Sequence, residues 1–227
     1  MNAASDGTCL RVDLEGLAHN WHAVRSACPR AGVGAVLKHD AYGLGMALVA
    51  PRLWALGCRD FWVATVDEAL ALRQLLPARQ GRILVLHGMG GRPARDFAAQ
   101  AITPVLAGPH ELPALAGHAA RHGAPLPVAL QLDTGLTRLG FGAHDMGFLR
   151  ADSPLWADAR ADLWVSHLGR FHDPGLPECQ RQRERFVQWT AQLPRAGRSM
   201  AASSGVWAGP DWHFEHVRAG SALFGTH

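Results

Sequence analysis

The sequence predicts a closed (β/α)8 barrel. Eight short β-type runs recur along its 227 residues, helical stretches separate most of them, and several runs are apolar on both faces. Strands alternating with helices build right-handed βαβ units on a parallel sheet. Eight such strands in one chain favour closure over an open sheet, since a single barrel commonly fills ~200–250 residues. Residues 1–227 are therefore read as one barrel domain.

The strand runs are Val33–Lys38, Phe61–Val66, Arg82–His87, Ile102–Ala107, Val128–Asp133, Leu163–His167, Ser199–Ser203 and Val217–Leu223. Helices are expected over Ala47–Leu56, Val66–Leu76, Pro93–Gln100, Glu111–His122 and Glu178–Leu193, with a weaker one at Ala143–Arg150. A further helix, Leu14–Ala27, precedes the first strand, and nothing helical is expected after the last. That N-terminal helix is placed to cover the groove beside strand eight.

Composition narrows the function classes. Hydrophobic residues make up 48% and charged residues 18%, enough apolar surface for a sizeable core and too much for disorder. A net charge of +3, carried by scattered arginines, gives no clustered basic face for nucleic acid; Arg181, Arg183 and Arg185 read as the solvated side of a helix. No apolar run approaches the ~20 residues of a membrane span. The polar start, Met1 to Arg11, lacks the features of a signal peptide. Cys9, Cys28, Cys58 and Cys179 are far apart and read as reduced thiols, so a cytoplasmic location is expected. His118 and His122 stand four apart, but no H-E-x-x-H spacing occurs, and no metal is expected. Gly88-Met89-Gly90-Gly91 lacks the G-K-[ST] of a phosphate loop and reads as a turn.

Barrels of this kind carry their chemistry at the C-terminal ends of the strands. Those positions hold Lys38, His87, Asp133-Thr134-Gly135, His167, Ser203-Ser204-Gly205 and Arg218-Ala219-Gly220-Ser221. Lys38 is the only lysine among 22 basic residues. A general need for positive charge does not explain it, whereas a Schiff base requires an amine that arginine cannot supply. Ser203-Ser204-Gly205 and Ala219-Gly220-Ser221 fall after strand seven and within strand eight, where barrels often hold a phosphate on hydroxyls and backbone N–H groups. Arg218 stands among apolar neighbours, either paired with a buried acid or facing a ring nitrogen. Trp207 and Trp212 are placed near the barrel mouth and would partly cover it.

Five ordered segments carry a family resemblance. Val36-Leu37-Lys38-His39-Asp40-Ala41-Tyr42-Gly43-Leu44-Gly45 resembles the lysine signature of the alanine racemases, and Asp133-Thr134-Gly135-Leu136-Thr137-Arg138-Leu139-Gly140-Phe141 resembles their D-T-G-M-x-R-L-G-F. Ser166-His167-Leu168, Met200-Ala201-Ala202-Ser203-Ser204-Gly205 and Val217-Arg218-Ala219-Gly220-Ser221-Ala222-Leu223-Phe224-Gly225 are similar to S-H-F, M-A-N-S-A-G and V-R-P-G-I-A-L-Y-G.

The resemblance implies a fold-type III barrel holding pyridoxal 5'-phosphate as an aldimine on Lys38, and interconversion of L- and D-alanine. It implies that Lys38 is one of two proton-transfer bases. Tyr42 and Ser203, with backbone N–H groups of Gly220 and Ser221, would hold the phosphate. Arg218 would meet the pyridine nitrogen, His167 would lie by the ring and link to Arg218, and Arg138 would place the cofactor phenol oxygen and the substrate carboxylate.

The sequence also departs from the family. A second, β-rich domain follows the barrel in alanine racemases and supplies the other base, a tyrosine, across a homodimer. This sequence ends at Gly225-Thr226-His227, and its only tyrosine is Tyr42. Gln131 stands where many members have a lysine, Ala202 replaces an asparagine, and Phe224 a tyrosine. The expectation is an amino-acid racemase impaired in its second proton transfer, with a homodimer or a separate chain supplying the β-domain. The alternatives are a single-domain pyridoxal-phosphate-binding homeostasis protein and a one-base enzyme.

Overall fold

The computed structural model describes residues 10–77, 80–170 and 175–225. Cys9, the polar start up to that residue, and Thr226-His227 lie outside them. Helix α1, Leu14–Ala27, opens the fold, capped by Asp13, whose carboxylate accepts from the N–H groups of Glu15 and Gly16. The chain then alternates through β1 Gly32–Val36, α2 Met46–Ala55, β2 Asp60–Val63, α3 Val66–Leu75, β3 Arg82–Val85, α4 Ala94–Gln100 and β4 Ile102–Leu106. After α5 His118–His122 come β5 Leu126–Gln131, α6 Leu155–Asp158, β6 Ala159–Val165, α7 Pro177–Thr190, β7 Gly197–Ser199, α8 Pro210–His213 and β8 His216–Ala219.

All eight strands are parallel neighbours, in the order β7-β6-β5-β4-β3-β2-β1-β8. The ring is nearly closed. Only three residues of β7 are extended, so β7 and β8 share no ladder. The gap is bridged instead by Arg218 N–H to the Ala201 carbonyl at 3.0 Å and by the Ser199 hydroxyl to the His216 carbonyl at 2.7 Å.

Most strands end two to four residues earlier than the sequence suggests, because the apolar runs continue buried into the βα loops: Leu37, Ala64 and Leu132 are as buried as the strands they follow. One helix differs in kind. Glu111–His122 is not continuous, since Pro113 confines Pro109–Leu115 to a 3-10 turn and Gly117, at φ +70°, separates it from α5. Ala143–Leu149 is likewise a 3-10 segment. A short 3-10 turn, Ser221–Leu223, follows β8, and α1 packs beside it, with Asn20 Nδ2 donating to the Leu223 carbonyl at 3.1 Å.

Inside the barrel, Val36, Trp62, Leu84, Val105, Ala129, Leu163 and Val165 form one apolar plug. Gly34 makes it possible: a Cβ there would lie 2.5 Å from Trp62 Nε1 and 2.8 Å from His216 Cε1. At the N-terminal ends of the strands, Asp60 bonds His216 Nε2 at 2.7 Å and Arg82 at 2.9 Å. Burial opposes the charge on Asp60, but these two partners outweigh it and hold the carboxyl below its usual range. A second layer between strands and helices buries Trp164, Phe61, Phe97, Phe141 and Phe186. No helix among the described residues is long and apolar enough to cross a membrane. Cys28, Cys58 and Cys179 are buried, and burial raises the Cys28 thiol to about 11.

Candidate active site

At the C-terminal mouth of the barrel, a cavity of about 310 Å³ is lined by Lys38, Tyr42, Arg138, His167, Ser203, Arg218, Gly220 and Ser221. The site residues expected from the sequence thus converge, although they come from five different βα connections. Val36 and Leu86 give the cavity apolar walls, and Gln131 and Ala202 complete it.

Lys38 lies just beyond β1 and opens an unusual segment. His39, Asp40, Ala41 and Tyr42 all have φ between 54° and 58°, one turn of left-handed helix built without glycine. Each such residue costs roughly 1–2 kcal/mol, so the turn persists only where contacts over-determine it. Ala41 N–H reaches the Leu37 carbonyl at 2.9 Å, Gly43 N–H the His39 carbonyl at 2.8 Å, and Asp40 accepts from Met46 N–H at 2.6 Å. The turn leaves Lys38 half-buried, with Nζ 5.9 Å from the centre of the Tyr42 ring.

Tyr42 leans on Phe224, ring centres 5.1 Å apart, and brings its hydroxyl over Gly220. A side chain at 220 would collide with that hydroxyl where it stands, so Gly220 is what allows this close approach. Beside it, the buried Ser203 hydroxyl accepts from Gly220 N–H at 2.9 Å and Ala222 N–H at 3.2 Å. The Tyr42 and Ser203 hydroxyls, the latter held by two backbone N–H groups, therefore frame one pole of the cavity beside Gly220 and Ser221. Burial raises the Tyr42 phenol, which keeps its proton.

At the other pole, Arg218 is buried with no carboxylate beside it among the described residues. Its Nη1 donates to the Ser199 carbonyl at 3.0 Å and hydroxyl at 2.6 Å, and its Nη2 to the Ser166 carbonyl at 2.7 Å. The Trp62 ring lies 5.6 Å from the guanidinium carbon. Burial lowers Arg218 to about 10, so it remains charged at neutral pH. The alternative of a buried ion pair is thereby removed, while Nε makes no hydrogen bond among the described residues.

His167 completes this pole. Its Nδ1 lies 3.4 Å from Arg218 Nη2, which makes Nδ1 the acceptor and places the ring proton on Nε2. Burial, then the charges of Arg218, Arg138 and Lys38, depress it to about 3. Arg138 is exposed at the rim and makes no hydrogen bond or ion pair among the described residues; Gln131 shares the lining without bonding it.

Other expectations do not meet at this site. His87 is exposed outside the cavity, and neither Trp207 nor Trp212 lines it: Trp207 faces solvent, whereas Trp212 is buried under Arg183. Gly88–Gly91 forms turns, and no group of three metal-ligating side chains occurs among the described residues. Ser199, the chief anchor of Arg218, carried no signal in the sequence, because a serine on a short strand announces no distant partner.

A sequence profile described as alanine racemase, N-terminal domain, matches residues 12–227. This chain belongs to that family. The alanine racemase of Rhodospirillum rubrum is 39% identical over 217 residues, which cover 95% of this chain and 58% of that protein. Among solved structures, alanine racemase from Bartonella henselae with covalently bound pyridoxal phosphate superposes with a TM-score of 0.89 at 30% identity, over 94% of this chain and 62% of that one. The histidine racemase of Leuconostoc mesenteroides aligns with a TM-score of 0.79 at 26% identity, over 93% of this chain and 57% of its own. This member of the family thus spans little more than half the length of the relatives it matches.

Proposed function

We propose that this chain is the pyridoxal-phosphate barrel of an amino-acid racemase acting on alanine. The observation that carries this reading is one cavity holding the chain's single lysine between a pair of hydroxyls beside Gly220 and Ser221 and a buried arginine with no counter-ion among the described residues. That donor set fits the cofactor. The framed pole suits a phosphate, Val36 and Leu86 suit the faces of a planar ring, and Lys38 supplies the amine for its aldehyde. Arg218 would face the ring nitrogen. Being charged itself, it would disfavour protonation of that nitrogen.

When bound, pyridoxal phosphate supplies the electron sink that acidifies the α-proton of an amino acid. Lys38 Nζ then takes or returns that proton on one face. Arg138 would receive the substrate carboxylate at the rim, where it is uncommitted among the described residues. His167, neutral above about pH 3, accepts from Arg218 through Nδ1 and so donates no proton from that atom. The residues lining this cavity thus serve one face of the α-carbon through Lys38, and we read the chain acting alone as exchanging the α-proton faster than it racemises.

The test is borohydride reduction of the protein with pyridoxal phosphate, followed by peptide mapping, and deuterium exchange of L-alanine in D2O. An adduct on Lys38, abolished in Lys38→Ala, supports the reading. An adduct elsewhere, or none, defeats it. Exchange without formation of D-alanine would locate the shortfall in the second proton transfer.

A further inference from the structure

We propose that Glu68, outside the cavity, is a positioning residue for Lys38, holding the left-handed turn that aims it. The inference rests on the role given to Lys38 above. The Glu68 carboxylate makes two sets of contacts. Oε2 accepts from Ala64 N–H at 2.6 Å and Thr65 N–H at 3.2 Å, the local half of a capping box that begins α3. Oε1 reaches across to the loop after β1 and accepts from the N–H of His39 at 2.7 Å.

His39 is the residue after Lys38 and the first of four consecutive left-handed residues. The remaining hydrogen bonds of His39 to Tyr42 come from their own stretch, Leu37 to Met46, which is tied to β2 through Leu37 N–H to the Trp62 carbonyl at 2.7 Å. Among the described residues, Glu68 is the one side chain outside that stretch that bonds its backbone. A charged acceptor at this N–H is a strong bond, and it restrains the peptide that links Lys38 to the strained residues. If it is lost, the turn is free to relax towards ordinary backbone angles, and Lys38 swings with it.

The cap and the clamp separate experimentally. Thr65→Ala removes the capping hydroxyl, which accepts from Glu68 N–H at 3.3 Å, and leaves the carboxylate on His39. Glu68→Gln replaces one carboxylate oxygen with an NH2 that cannot accept. Glu68→Asp keeps a charge on the first turn of α3 but is a methylene too short to span to His39, and it guards against a misfolded Gln variant.

Two readouts apply. In protein without cofactor, amide exchange in the 37–45 peptide should speed up at least tenfold in Glu68→Gln and Glu68→Asp and less than twofold in Thr65→Ala. With pyridoxal phosphate, the concentration giving half-maximal borohydride trapping on Lys38 should rise at least tenfold in the same two variants and stay within twofold in Thr65→Ala. Unchanged exchange in both Glu68 variants, or the same effect in Thr65→Ala, overturns the proposal. If the parent protein traps no cofactor on Lys38, the functional reading fails, and the exchange arm alone decides whether Glu68 holds the turn.

Discussion

His167 turns Nδ1 towards Arg218 Nη2 at 3.4 Å, so an imidazole faces a guanidinium that never gives up its charge at neutral pH. The pairing works only while the imidazole is neutral. Burial and three nearby cations depress His167 from 6.5 to about 3, whereas in the unfolded chain it protonates near the ordinary value. Between these limits the unfolded state binds one more proton. The contribution to stability is therefore complete above about pH 6.5 and is lost as pH falls towards 3. His167→Gln is expected to flatten the stability profile in this window by one proton. Urea midpoints at pH 7, 5 and 4 check it, and parallel profiles for the two proteins would refute the assignment.

Arg218 anchors the open seam between β7 and β8, where no strand ladder exists. Arg218→Met would strand the Ser166 carbonyl in the interior, whereas the Ser199 carbonyl keeps its bond from Ser166 N–H at 2.9 Å. A loss of about 1–3 kcal/mol is expected, on the order of one unsatisfied buried acceptor. Denaturant unfolding measures it, and a loss below about 1 kcal/mol would mean that the seam closes by other means.

Gly220 separates binding from folding. A Cβ there would strike the Tyr42 hydroxyl and sit 3.3 Å from Val36 Cβ, but Tyr42 is 42% exposed and can swing outwards. Gly220→Ala should cost at most about 1 kcal/mol in stability. It should weaken pyridoxal phosphate binding at least tenfold by breaking the cradle. Fluorescence titration of the two proteins compares them, and equal affinity would place the phosphate elsewhere.

Glu111 repeats, one strand pair away, the bridging seen at Glu68. Its two oxygens accept from Met89 N–H and Ala107 N–H, both at 2.6 Å, joining the loops after β3 and β4. Glu111→Ala removes two charge-assisted bonds, and about 2–3 kcal/mol of destabilisation is expected. Leu86 walls the cavity from the same loop, but Met89, Ala107 and Glu111 lie outside the lining, so cofactor trapping should change little. A thermal melt with parallel trapping checks both halves.

The sequence by itself determined which segments become strands, since runs such as Arg82–His87 and Ile102–Ala107 can bury both faces only in a covered parallel sheet. It also marked the candidate site, because a solitary lysine and small residues at strand ends are local signals. Tertiary structure decided the rest. Four left-handed residues without glycine are invisible to local preference, which opposes them; they are held by bonds within the turn and by Glu68, 29 positions beyond His39. The broken helix at 111–122 and the bare guanidinium of Arg218 were settled in the same way. Local propensity is a matter of a few tenths to about one kcal/mol per residue. Burial and charged hydrogen bonds between distant loops exceed it, and their partners meet only after the ring has formed.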